Sequence, residues 1–307
     1  IAGDTKWRTQ AADYLQSLLR HTEEKYSDRF YGYFLLCGTT TEWFSDRDYF
    51  APHVLKERDY RAFSGKPDAR LATPEEICRS REVVFYDPKA DKNIIDTVRY
   101  HCEIIADTIL YFAAKAQEVL LHKKLVGVYY GYLLELVGAR LWNAGSLEYM
   151  RVFDSPDIDM ISSPSSYVFR KHIDTSAFMV TYDSLNRRDK LYYLEFDHIT
   201  HLAPQYIEGF PIPGYDSKLK NEAETVDIMR RDFCLTLTKG AALWWFDMFE
   251  GWFYSDGMLK EIAHMIRISK ELAARKAENV SEIAVFASGG ESLCHVNKES
   301  WINNALL

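Results

Sequence analysis

Three observations predict an α/β fold built on parallel strands. Short apolar runs of strand-forming residues alternate with longer stretches of helical periodicity, the pattern of right-handed β-helix-β units. One such run, Lys190 to His201 (K-L-Y-Y-L-E-F-D-H-I-T-H), ends in Glu195 and then Asp197, His198, Thr200 and His201. A second, Phe30 to Trp43, has the same form: F-Y-G-Y-F-L-L-C is apolar, and G-T-T-T-E-W delivers Glu42 at its end. Buried strands with acids and imidazoles at their C-terminal ends present catalytic groups in a β/α barrel and line the switch point of a doubly wound sheet. Pattern alone leaves both open.

Taken in order, Trp7 to Glu24 carries Ala11, Tyr14, Leu15, Leu18 and Leu19 at helical spacing, which predicts one buried face. The strand Phe30 to Cys37 follows. Thr39 to Ala90 is polar and irregular, a decorated loop with short helices. Asn93 to Leu121 is a long helix with Ile94, Ile95, Val98, Ile104, Ile105, Ile109, Leu110 and Phe112 placed for burial. Leu125 to Tyr132 (L-V-G-V-Y-Y-G-Y) is a strand whose two glycines mark a close approach by backbone or ligand.

A short helix starts at Ser146, and Asp157 to Ser162 is a short strand closed by S-P-S-S. After the Leu191 strand come a Pro/Gly loop around Pro211 to Tyr215, a helix from Glu222 to Leu237, the strand Ala241 to Phe246 ending in Asp247, and a helix from Gly257 to Lys276. Glu282 to Phe286 (E-I-A-V-F) then reads as the first strand of another α/β domain, placing a boundary between residues 1–278 and 279–307.

Composition narrows the function classes. The 307 residues, 47% hydrophobic and 27% charged, suit a globular chain with a sizeable core. A formal charge of −8 without Lys/Arg runs argues against nucleic acid, which demands a basic surface. No stretch is apolar enough for a transmembrane helix, and no signal peptide opens the chain. Five scattered cysteines without C-x-x-C spacing are a free-thiol pattern that favours a cytoplasmic setting, although the first residue is Ile1 rather than Met. Asp154 to Asp159 is acidic but lacks the glycine and closing glutamate of a calcium loop.

The tracts V-G-V-Y-Y-G-Y-L-L-E-L, S-P-D-I-D-M-I-S-S-P-S-S-Y, Y-Y-L-E-F-D-H-I-T-H-L and L-W-W-F-D-M-F-E-G-W-F resemble the second half of the catalytic barrel in glycoside hydrolases related to the family 42 β-galactosidases. The resemblance runs from about Trp7 to the end. It implies a (β/α)8 TIM barrel of which strands four to eight are in this chain, three strands being expected before Ile1. A flavodoxin-like α/β domain that supports homotrimers would follow. It further implies Glu42 as acid/base, Glu195 as nucleophile, a glycoside substrate, and no metal or organic cofactor. The chain departs from the family in having Thr41 where an asparagine usually precedes the acid/base.

Two carboxyl groups suit acetal cleavage on physical grounds. The leaving oxygen needs a proton, and the anomeric carbon needs negative charge or a covalent bond as positive charge develops there. A neutral acid and an ionised nucleophile require environments that split their pKa values. Trp43, Tyr132, Tyr167 and Trp245 fall at or just past expected strand ends and are candidate walls of the sugar pocket. Asp197, His201 and Asp247 are candidate polar contacts. A lone strand-end glutamate is more often solvated or ion-paired than catalytic, and at least half of the Trp244, Trp245, Trp252 and Phe253 group is expected in the core. The reading is a retaining exo-β-glycosidase acting on a terminal β-galactoside. The alternatives are a β-mannosidase or β-glucuronidase on the same scaffold, or a catalytically silent carbohydrate-binding subunit.

Overall fold

A computed structural model of the chain describes residues 3–38, 42–43, 53–77, 85–134, 144–207, 210–211, 217–248, 250–272, 275 and 280–292. Thr41, Cys78, Cys294, the loop 212–216 and the residues after Ser292, all of which enter the sequence reading, lie outside them. The chain divides into two compact units. The first comprises residues 1–162, 180–191 and 286–306, and the second residues 163–179, 192–285 and 307.

Helix α1 (Thr5–Tyr26) starts where the Asp4 carboxylate accepts the Trp7 N–H at 2.6 Å, satisfying one of the donors a helix start leaves open. Strand β1 (Gly32–Phe34) follows, then α2 (Val54–Ser64) and the single turn α3 (Pro74–Ile77). Helix α4 (Lys92–Leu120) buries Ile94, Val98, Ile105, Ile109 and Phe112, as its periodicity predicts. On α1 the prediction needs correction: Ala12 and Leu19 are buried, whereas Tyr14 is 73% exposed and Leu18 49%. Polar side chains make much of the contact with α4. The Arg8 guanidinium donates to the Ile104 carbonyl and Thr108 hydroxyl, and the Gln16 amide to the Lys115 carbonyl and Glu118.

Strand β2 (Leu125–Tyr129) pairs in parallel with β1, Gly32 opposite Leu125, and with β3 (Met160–Pro164), Gly127 opposite Met160. The close approach expected at the glycines comes from the protein's own side chains. A Cβ on Gly127 would sit 2.6 Å from Met160 Cγ, and Gly131, at φ 87°, faces Phe153. A short helix α5 (Tyr149–Phe153) precedes β3, and α6 (Tyr182–Asn186) precedes β4 (Leu191–Phe196).

Strand β3 begins in the first unit and ends in the second. Leu191 N–H donates to Asp159 O, and Ser165 N–H to Glu195 O, so both strands advance in the same sense. The second unit adds a two-residue antiparallel pair, β5 (Tyr206–Ile207) and β6 (Phe210–Pro211), then α7 (Glu222–Lys239), β7 (Ala242–Trp245) and α8 (Asp256–Leu272). Helix α7 opens on Asn221, whose side chain accepts from Glu224 N, and closes on the left-handed Gly240. Strands β4 and β7 run parallel, and the hydrogen-bonded order is β1-β2-β3-β4-β7. Parallel strands in chain order with intervening helices are what the alternating pattern predicts, and the order does not reverse as in a doubly wound sheet.

The core of the second unit forms where Phe196 and Ile199 meet Ile228, Met229 and Phe233 of α7 and Met258 and Met265 of α8, with Trp252 and Phe253 between. Glu282 to Phe286, expected as a strand, joins no ladder among the described residues: Ile283 is 84% and Phe286 92% exposed. The single-turn helix α9 (Gly289–Ser292) follows it. Among the described residues no helix is long and apolar enough to cross a membrane.

Candidate functional site

Glu42 belongs to the first unit and stands beyond β1 rather than on it. The β1 ladder extends by one bond, Leu35 N–H to Gly127 O. Cys37 and Glu42 form an isolated parallel bridge, with Trp43 N–H on Cys37 O at 2.7 Å. Trp43 holds φ at 66°, a conformation unusual for a bulky residue. Its surroundings over-determine it: the indole N–H donates to Leu35 O at 3.0 Å, and the buried ring packs on Phe112 with centroids 6.2 Å apart. The expected role of Trp43 in lining a pocket thus meets a side chain already committed to the core. Tyr132, two percent exposed, donates its hydroxyl to Glu42 Oε1 at 2.9 Å. These two candidates are brought together.

Glu195, in the second unit, is the penultimate residue of β4 and only 7% exposed. Side chains alternate along the strand, so Glu195 shares a face with Tyr193 while Phe196 points into the helix-packed core. Register partners share a face too, and Glu195 lies opposite Trp244, Phe196 opposite Trp245. Trp245 packs edge-on against Phe196 and contacts Phe253, on the face opposite to that of Glu195. Trp244 stands beside Glu195, stacked on Tyr193 at 25° and touching Phe246. Its indole N–H is buried with no hydrogen-bond partner among the described residues.

The polar residues after Glu195 are mostly occupied. Asp197 is buried and receives Arg170 Nη2 at 2.6 Å, while Arg170 also donates to the carbonyls of Ser165, Ser166 and Asp197. The Tyr167 ring, 44% exposed, lies over that guanidinium at 4.4 Å. His201 meets the Thr225 hydroxyl at 3.0 Å, and burial lowers its pKa against the attraction of Glu222. Asp247 accepts the N–H groups of Gly251 and Trp252.

Sequence reasoning missed the deepest cluster. Asp232, wholly buried on α7, is 2.8 Å from His198 Nε2, accepts from Arg231 Nε at 2.9 Å and lies 3.0 Å from Ser165 Oγ. Burial would raise this carboxyl, but His198, Arg231 and a hydrogen bond from Ser176 overcome it and hold Asp232 well below the ordinary carboxylate range. Burial pulls His198 below its ordinary value, against the attraction of Asp232. A neutral His198 donating to Asp232 balances the charges, because Arg231 already pairs with Asp232 and Arg170 with Asp197. The available signal was Asp232 itself, a carboxylate at helical spacing with Ile228, Met229 and Phe233 on the buried face of α7.

In the acidic tract Asp154 to Asp159, cationic side chains of the protein stand beside the oxygens. Arg188 pairs with Asp154, and Lys190 Nζ donates to the Ser155 and Ile158 carbonyls, filling with an ammonium the oxygens a calcium loop would offer. Among the described residues no cluster of His, Cys, Asp and Glu has the grouping of a metal site. No family model, curated protein or solved structure matches this chain.

Proposed function

We propose that the chain is a retaining β-glycosidase whose five parallel strands correspond to strands four to eight of a (β/α)8 barrel, with Glu195 as nucleophile and Glu42 as acid/base. The observation that carries the reading is Glu195: a buried carboxylate at the end of a parallel strand, on the face bearing Tyr193 and Trp244 rather than in the core. Aromatic faces beside an acid suit a sugar ring, whose apolar C–H faces stack on them while the acid addresses the anomeric carbon.

In the first step Glu195 attacks the anomeric carbon as the glycosidic bond breaks, and Glu42 gives its proton to the departing oxygen. A glycosyl ester on Glu195 results. In the second step Glu42, now a carboxylate, takes a proton from water as that water attacks the same carbon, releasing the sugar and restoring Glu195. Two inversions leave the configuration retained. The Tyr132 hydroxyl suits both states of Glu42, since it donates to the carboxylate and accepts from the protonated acid. Within this reading Tyr132, Tyr167, Tyr193 and Trp244 are the contacts carried forward, and Trp43, Asp197, His201, Trp245 and Asp247 support the frame. The terminal β-galactoside and the homotrimer rest on the resemblance alone.

A panel of aryl β-glycosides tests the sugar, and two variants test the chemistry. Glu195→Ala should lose turnover and regain it with azide as the α-glycosyl azide, because a small anion then attacks from the vacated face. Glu42→Ala should keep partial turnover on aryl glycosides with good leaving groups, which need little protonation, and azide should give the β-azide. Full activity of either variant removes that residue from the chemistry.

A further inference from the structure

Resting on the reading of Glu195 as nucleophile, we infer that Asp232 is a positioning residue that holds the Glu195 end of β4 in place from α7. Glu195 can act only if the backbone carrying it is fixed to within a fraction of an ångström. Its carbonyl accepts Ser165 N–H at 2.9 Å. The Ser165 hydroxyl lies 3.3 Å from the same carbonyl and 3.0 Å from Asp232. Three residues beyond Glu195, His198 bonds to the same Asp232 oxygen, so one carboxylate gathers the chain leaving β3 and the chain leaving β4.

Asp232 is itself immobilised. Arg231 holds its second oxygen, and the Arg231 guanidinium also donates to the carbonyls of Phe169 and Asp174 in the loop after β3. Arg170 makes a parallel clamp from that loop to Asp197. Arg231 donates to one Asp232 oxygen in a fixed direction, and the Ser165 hydroxyl and the His198 ring face the other. A neutral amide in its place has one oxygen to accept with and an NH2 that faces donors, so the network cannot be rebuilt by an isosteric substitution.

The test compares wild type with Asp232→Asn and Ser165→Ala, the latter leaving the Arg231 ion pair intact in case the former fails to fold. Backbone amide exchange at residues 194–198 and the ¹⁵N signals of the His198 ring report the network without requiring turnover. Both variants should exchange faster there, and Asp232→Asn should shift the His198 ring signals. On the aryl β-glycoside that wild type cleaves best, kcat should fall roughly 10- to 100-fold with KM changed less than about 3-fold. Unaltered exchange at 194–198 overturns the inference whether or not a glycoside is cleaved. Faster exchange with unchanged kcat also overturns it. Failure of wild type to cleave any glycoside counts instead against the glycosidase reading, since the exchange data still decide whether Asp232 holds β4.

Discussion

Glu42 and Glu195 are fixed by opposite means. Around Glu42, among the described residues, β1 is three residues long, Cys37 bridges Glu42, the Tyr132 hydroxyl donates to its carboxylate, and the left-handed Trp43 follows it. Around Glu195 the backbone is ordinary, six residues of parallel strand with neighbours on both sides. Its unusual feature is charge, two arginine-aspartate pairs and a histidine buried just beyond the strand end. One carboxylate is held beside a left-handed residue anchored by its side chain, the other by a ladder with an ionic lock. The first arrangement depends on shape and the second on pairing, so they should fail under different perturbations.

The largest expected effect comes from opening the ionic lock. In Arg170→Met the apolar stem is kept, but Asp197, 5% exposed, loses the guanidinium that compensates its charge. Removing one partner of a buried pair typically costs about 3–5 kcal/mol, because the remaining charge stays desolvated. Urea unfolding should register a loss of that size. A loss below about 1 kcal/mol would mean that Asp197 reaches water in the folded protein, and the contrast between the two regions would weaken.

Acid should sharpen the contrast next. His198 has a folded pKa below its ordinary 6.5, so the unfolded chain takes up the proton first and stability declines as pH falls below about 6.5 towards the folded value. Asp232, depressed from an ordinary 3.8, contributes its full stability above that value and loses it as pH falls further. Both act in the same direction, in successive windows. Urea midpoints across pH 7 to 3 should fall in wild type, and His198→Gln should flatten the upper window alone. A wild-type midpoint constant from pH 7 to 5 would show that His198 takes up its proton as readily in the folded protein as in the unfolded chain.

Much of this frame was legible in the sequence, and the part that was not is the ionic lock. Alternation of β-branched and aromatic runs with helical periodicity locates the strands at Gly32, Leu125, Met160, Leu191 and Ala242 within a few residues, because each run must bury its own apolar atoms. Glu195 stands out for a local reason as well, as a charge ending a run that is otherwise buried. Arg170, Asp232 and Ser165 do not stand out, since their meaning lies in partners 27 to 67 residues away. The choice of Trp244 over Trp245 waited on the register of β7 against β4, which a one-residue slip would reverse. On α1 the apolar stripe misled, because Arg8 and Gln16 make specific bonds to α4 that periodicity does not count.

The smallest effect probes the anchor at Glu42. Trp43→Phe keeps an aromatic ring against Phe112 and leaves the backbone bond to Cys37 untouched, but removes the indole N–H that Leu35 O accepts. A single neutral hydrogen bond contributes about 0.5–1.5 kcal/mol, so stability should fall by about 1 kcal/mol. The strain works the other way. Holding a non-glycine residue in a sparsely populated backbone region costs roughly 1–3 kcal/mol, and Trp43 stays there only while its anchors outweigh that cost. With one anchor gone, Trp43 and Glu42 can relax together, so turnover on substrates with poor leaving groups, which need the acid, should drop more than turnover on activated aryl glycosides. Trp43→Ala, which also empties the ring's place in the core, should cost about 3–5 kcal/mol and show the same leaving-group bias. Equal losses on both substrate classes would mean that Trp43 stabilises the first unit without directing Glu42, and the side-chain anchor would be structural only.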